Sequence, residues 1–331
     1  MLFHPLTIAV LLFDLLSLIV LFSAFRISLR FVLGSNTDDR EVFSIAPGRF
    51  VFVLQCISFL LLLFAVSLIF PPILTGIMCG TGVLKISEET GVRMLLVRIC
   101  TLLVLFVWYQ LDSASRELPG KDMKMIAAKG MLFSVPFVVL GVWLSAKTLW
   151  LLNTGVSGDC CSLAYGATDT GEKFSFSPDI WLFFLTLFSV VLCLLALFVA
   201  SKKESSQRLI AITSCCGIVW CLPASVCLLY YFSAYYYGVS QHPCFWCLFL
   251  PGNYFVGYPL FIAMTLVFFQ SVVLFVYGRF AFFKPHLLGW SRKKMRKSAG
   301  LIIAGMLLYF LLTLFPALFF QGTLKLVSHH F

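Results

Sequence analysis

Charge is what this chain has least of. Only 11% of its 331 residues are charged, with 14 acids against 24 Lys and Arg, whereas a soluble domain carries about a quarter. A hydrophobic share of 61% and a mean hydropathy of +1.00 exclude an ordinary soluble fold and require a lipid environment. Histidine is scarce. The five, His4, His242, His286, His329 and His330, lie at the ends of apolar runs or between them, so no pair can hold a haem inside a bundle. There is no Cys-x-x-Cys-His, no Walker loop and no His-Glu-x-x-His. Covalent haem, nucleotide-driven transport and zinc proteolysis therefore lack motif support. Ionisable residues within the apolar runs are few, which weakens an ion-pump reading.

What is present is a series of long apolar runs. Eight of them, near 5–25, 50–70, 94–111, 130–151, 180–200, 209–231, 257–278 and 300–321, have the length a helix needs to cross the hydrocarbon core. Continuous apolar runs of this length do not fit the alternating strands of an outer-membrane barrel. The expected fold is all-α, a polytopic transmembrane helical bundle forming a single integral membrane domain over residues 1–331. The first run has no basic residue before it and ends in Ala24-Phe25-Arg26, which reads as a retained span and not a cleaved signal.

Orientation follows from the basic residues. The loops at about 26–49, 112–129, 201–208 and 279–299 hold 18 of the 24 Lys and Arg, including Arg292, Lys293, Lys294, Arg296 and Lys297. The positive-inside rule makes these loops cytoplasmic, and it puts the loops at about 71–93, 153–179 and 239–256, with both termini, on the outer side. The net charge of +10 then belongs to the cytoplasmic rim and its lipid headgroups, with no nucleic-acid partner implied. A multi-pass protein of a bacterial inner membrane is the expected setting. Asp14, amid leucines and isoleucines in the first run, needs a partner facing the bundle; Arg98 and Lys147 are the candidates. An interhelical ion pair is the simplest reading, with a proton relay or a quinone contact as the alternatives.

Twelve cysteines divide by position. Seven fall within the runs and read as small buried hydrophobes. The other five, Cys79, Cys160, Cys161, Cys244 and Cys247, all fall in loops expected outside, in a compartment where disulfides form and persist. Neighbouring Cys160 and Cys161 can bond to each other only with strain, so each is expected to pair elsewhere. Cys79 stands among glycines and prolines in the first outer loop. Cys244 and Cys247 form a Cys-x-x-Cys in Gln241-His242-Pro243-Cys244-Phe245-Trp246-Cys247, within a stretch free of Lys, Arg, Asp and Glu from Val239 to Tyr258 and crowded with tyrosines. Such aromatics mark the membrane interface, where a lipid-soluble partner can reach the pair. Two thiols at this spacing close a small ring and can take and give two electrons, and an imidazolium at His242 would favour a thiolate. A structural disulfide is one alternative. A zinc or copper site built from Cys160, Cys161, Cys244 and Cys247, with Cys79 or His242 added, is another.

Pro243-Cys244-Phe245-Trp246-Cys247, followed by Gly257-Tyr258-Pro259-Leu260 at the start of a span, resembles the Pro-Cys-x-x-Cys and downstream Tyr-Pro-Leu of the DsbB-type membrane oxidoreductases. More distantly it is similar to the vitamin K epoxide reductase group. The resemblance covers about 20 residues. It implies a quinone-coupled thiol–disulfide oxidoreductase in which Cys244 and Cys247 are the central pair, with Cys160, Cys161 or Cys79 as relay thiols. It also implies a membrane quinone as acceptor and an outer-compartment thioredoxin-fold protein as partner. Those families are built on four spans, this chain has eight, and Leu248-Phe249-Leu250 stands where the DsbB type carries an arginine. A non-catalytic transport or respiratory-complex subunit, with loop disulfides only, is the reading from a different class. No residue-level repeat links spans one to four with five to eight.

Overall fold

The computed structural model describes residues 4–33, 46–74, 77, 79–87, 89–117, 121–152, 178–201, 206–233, 236, 245–283 and 288–319. Every regular element among them is helical, and eight helices are long and apolar enough to cross a membrane. Contacts divide the chain into two compact units, residues 1–160 and 161–331.

The first unit contains α1 (Pro5–Val32), α2 (Ala46–Phe64), the short α3 (Gly80–Ile86), α4 (Glu89–Glu117) and α5 (Lys121–Leu151). Helix α1 begins where Pro5 presets φ and the His4 imidazole accepts a hydrogen bond from the Leu6 amide at 3.3 Å. Helix α2 continues through a π-helical turn, Ala65–Ile69, and a last α-turn, Phe70–Ile73. The four spanning helices pack in a closed order: α1 on α2, α2 on α4, α4 on α5 and α5 back on α1.

The second unit contains α6 (Pro178–Ser201), α7 (Gln207–Cys227), α8 (Gly257–Phe283) and α9 (Leu288–Phe319). Its helices close in the same order, α6 on α7, α7 on α8, α8 on α9 and α9 on α6. Here too the second helix ends in a π-helical turn, Leu228–Phe232. Proline stands near each π turn, Pro71 and Pro72 after the first and Pro223 before the second, and a residue without an N–H disturbs the ladder there.

Both units are built for lipid. Large apolar side chains such as Phe22, Leu60, Phe133, Phe183 and Leu311 lie on the exposed surface, while Ser17, Gln55, Thr101, Ser214 and Ser271 are buried between helices. In a bilayer the apolar exterior loses nothing, so helix association rests on close packing and interhelical hydrogen bonds. The second unit uses both. Ser214 Oγ donates to the Ser271 carbonyl at 2.7 Å, Trp220 Nε1 to Ser189 Oγ at 2.7 Å, and Tyr309 OH to the Ala224 carbonyl at 2.7 Å.

The helices run longer than the apolar runs. Helix α4 begins at Glu89, and α9 begins at Leu288, so that Arg292 to Lys297 are helical and continuous with the last span. A run of basic residues is compatible with helix, and only its hydropathy separates it from the span.

At Gly217, α7 approaches α8 so closely that an added Cβ would lie 2.0 Å from Ser271 Oγ. Gly217→Leu should therefore destabilise the protein by about 1–3 kcal/mol through overpacking. Gly252→Ala, with no atom within 4 Å of the new carbon, should change stability by less than about 0.5 kcal/mol. Thermal melting of the two variants in one detergent compares them directly.

Candidate functional site

Cys247 lies in a cap over the start of α8. Residues Phe245–Phe249 and Pro251–Asn253 form two 3-10 turns joined at Leu250. Trp246, Leu248 and Phe249 are buried. The Phe249 ring meets Tyr258 edge-on at 4.8 Å between centroids, Phe261 at 5.3 Å and Trp246 at 5.8 Å. Such a cluster anchors the cap to α8 through burial plus ring-to-ring contacts worth about 0.5–1.5 kcal/mol each.

Polar bonds fix the backbone around the cysteine. The Cys247 carbonyl accepts from Asn253 Nδ2 at 2.8 Å and from the Leu250 amide at 3.2 Å. The chain then turns through Tyr254 and Phe255, at φ 56° and 55°, a left-handed conformation that costs a residue with a Cβ roughly 1–2 kcal/mol. Gly257 follows where a Cβ would sit 3.0 Å from the Leu248 carbonyl carbon, so the cap and α8 meet backbone to side-chain position. Within this frame Cys247 is half-buried. Two consecutive left-handed aromatics store strain that only the surrounding contacts maintain.

The remaining sequence-derived candidates fall differently. Cys244, His242, Cys160 and Cys161 lie outside the described residues. Cys79, in the first unit, is buried, with 4% of its surface exposed; it is extended at φ −150°, and its carbonyl accepts from the Gly82 amide at 3.1 Å to open α3. No disulfide joins two described cysteines, and no group of three or more His, Cys, Asp or Glu able to hold a metal ion occurs among the described residues.

Asp14 finds Arg98. The pair is 99% buried at the centre of a network that draws on all four spanning helices of the first unit. Arg98 Nη2 donates to Asp14 Oδ2, Nη1 to Gln55 Oε1 at 2.6 Å, and Nε to Ser145 Oγ at 2.8 Å. Asp14 Oδ1 accepts from Ser58 Oγ at 2.6 Å, and Gln55 Nε2 donates to Ser17 Oγ at 2.6 Å. Lys147, the other candidate, is exposed and lies 5.4 Å from the Trp143 ring centre as a cation–π pair.

Sequence reasoning missed the other members of this network. Their signal was there: Asp14 with Ser17, and Gln55 with Ser58, each repeat at i, i+3 within an apolar run, and such a pair shares one helix face. A second buried carboxylate was missed as well. Asp112 Oδ2 accepts from Arg49 Nε at 2.7 Å and lies 3.5 Å from Arg116 Nη2, with the Arg49 guanidinium over the Tyr109 ring. Its Oδ1 is buried with no hydrogen-bond partner among the described residues.

The two buried systems differ from the Cys247 cap in what they can do. The ligating atoms around Asp14 and Arg98 are matched donor to acceptor, so the network holds helices. Outside the span, Tyr236 does similar work: its hydroxyl donates to the Leu312 carbonyl at 2.5 Å, and burial pushes the phenol up to about 12. Cys247 is a half-buried cysteine in the cap at the start of α8. Comparison with known proteins adds no name to this geometry: no family model, no curated protein and no solved structure gives a significant match.

Breaking the central ion pair from one side should be costly. Asp14→Leu leaves a buried guanidinium uncompensated and should cost about 3–5 kcal/mol, whereas Asp14→Leu with Arg98→Met should recover at least about 1 kcal/mol of that loss. Melting of single and double variants in detergent gives both values.

Proposed function

We propose that this chain is a membrane thiol–disulfide oxidoreductase whose reactive pair is Cys244 and Cys247. The observation that carries this reading is the seat of Cys247: half-accessible, at the mouth of a spanning helix, on a strained cap fixed by buried aromatics and by bonds to its own carbonyl. Catalytic thiols need access and a fixed approach direction; Cys56, Cys193 and Cys221 are as half-buried as Cys247 but lie within spanning helices, whereas Cys247 stands outside the spans on a backbone fixed by its own carbonyl's bonds.

The second unit supports the reading in another way. It has four spans of its own, closed in a ring, with the Cys-x-x-Cys segment between its second and third helices. Four spans are also the frame on which the resembled oxidoreductase families are built. The missing arginine after Cys247 has an apolar replacement, Leu248-Phe249-Leu250, whose first two members are buried against the cap.

The reaction balances as a two-electron exchange. A thiolate of a reduced partner protein attacks one sulfur of the Cys244–Cys247 disulfide, and a mixed disulfide forms as the second sulfur leaves as thiolate. The partner's other thiolate displaces the bound sulfur. The partner is now oxidised and Cys244 and Cys247 are both reduced. Two electrons and two protons then pass from the pair to a membrane quinone, which becomes quinol. The tyrosine-rich interface around the pair suits a lipid-soluble acceptor.

The test uses purified protein in detergent with a reduced dithiol peptide and a short-tailed quinone. Wild type should reduce the quinone, and Cys247→Ser or Cys244→Ser should lower the rate at least about 100-fold, with one serine variant accumulating a mixed disulfide with the peptide. Equal rates in wild type and both variants would sink the proposal.

A further inference from the structure

At the end of the second unit away from Cys247, α7 begins and α8 approaches its last turns. Between them lies a cleft of about 250 Å³, lined by Gln207, Arg208 and Arg279 together with the apolar groups of Ile210, Ala211 and Phe275. Among the described residues its lining contains no carboxylate. The Arg279 guanidinium rests over the Phe275 ring, 5.5 Å from its centre, which limits where that charge can swing.

Their ion pairing sets these two arginines apart from four others. Arg49, Arg93, Arg98 and Arg116 are each paired with a carboxylate, whereas Arg208 and Arg279 form no ion pair with any described residue. Two guanidiniums lining one cleft favour an anion between them. The polar end of the cleft coincides with the ends of two apolar spans, the depth at which a bilayer carries its phosphates. Its other side is apolar. Ala211 and Phe275 are exposed on the outer surface of the helices, where only hydrocarbon would cover them.

We propose that this cleft is a binding site for one anionic phospholipid. Arg208 and Arg279 share the phosphate oxygens through charge-assisted hydrogen bonds, the Gln207 amide lies beside the headgroup, and an acyl chain follows Ala211 and Phe275 along the unit. The planar fork of each guanidinium matches a phosphate better than a lysine ammonium does. The site lies in the leaflet opposite the one that Cys247 faces, because α7 and α8 each run from one end of the unit to the other. It depends on the spans and on no redox chemistry.

The experiment is native mass spectrometry of the full chain in detergent, titrated with phosphatidylglycerol or phosphatidylcholine. Wild type should hold one phosphatidylglycerol more tightly than any phosphatidylcholine. Arg208→Gln with Arg279→Gln should weaken that binding about tenfold or more. Ala211→Phe, which fills the apolar side and leaves both charges, should also weaken it, and it answers the objection that loss of charge alone disturbs the fold. Melting without lipid confirms that each variant is folded. Unchanged phosphatidylglycerol binding in the double arginine variant or in Ala211→Phe would overturn the proposal. So would displacement of the lipid by inorganic phosphate at equal concentration, since that outcome marks a free-phosphate site.

Discussion

A carboxylate and a guanidinium buried among apolar helices set the terms for the first unit. Neither Asp14 nor Arg98 can find water in the middle of a span, so each must be satisfied by the helices themselves. The structure meets that demand with groups from each of the unit's four spanning helices: Asp14 and Ser17 from α1, Gln55 and Ser58 from α2, Arg98 from α4 and Ser145 from α5. The close order of the four helices follows from this. If one were shifted by a turn, a buried charge would lose a partner, and a polar group in hydrocarbon costs several kcal/mol. The exposed leucines and phenylalanines around the outside impose no such register.

The same rule organises the second unit through neutral donors. Ser214, Trp220 and Tyr309 each donate across a helix contact, and Gly217 lets α7 and α8 come close enough for the first of these bonds. The Cys247 cap is built differently. There the helix ladder is interrupted, aromatic burial replaces it, and Tyr254 and Phe255 take a conformation that no isolated turn of these residues would choose. The cap therefore joins a strained backbone, held by packing, to a half-buried cysteine. Cys79 of the first unit, by contrast, is buried and at the start of a short helix.

Much of the frame was legible because bilayer thickness leaves few choices. Eight apolar runs became eight long helices, and Asp14 paired with one of its two named candidates. Lys147 has another partner, since its exposed ammonium lies over the Trp143 ring, whereas Arg98 is 1% exposed. What was not legible depends on contacts across helices. Gln55 and Ser145 look in sequence like isolated polar residues, and only packing shows that they complete one guanidinium's partners. Asp112 reads as the start of a solvated connector, yet α4 carries it into a buried position beside Arg49. The π turns at Ala65–Ile69 and Leu228–Phe232 have prolines nearby but no pattern of their own. At the candidate site the Cys-x-x-Cys spacing marks two sulfurs, of which Cys247 lies among the described residues, while the 3-10 cap and its left-handed pair of aromatics have no sequence signature that distinguishes them from any loop.

Everything proposed for Cys244 and Cys247 rests on their being a pair that cycles, and the reduction potential of that pair separates a cycling disulfide from a structural one. Purified full-length protein would be equilibrated in glutathione buffers of graded potential, quenched with a thiol-specific alkylating agent, and the oxidised fraction of the Cys244–Cys247 peptide read by mass spectrometry. A midpoint between about −100 and −270 mV, the range of catalytic dithiols, is the expected result. A midpoint below about −300 mV, where structural disulfides lie, or a pair that never oxidises, would contradict it.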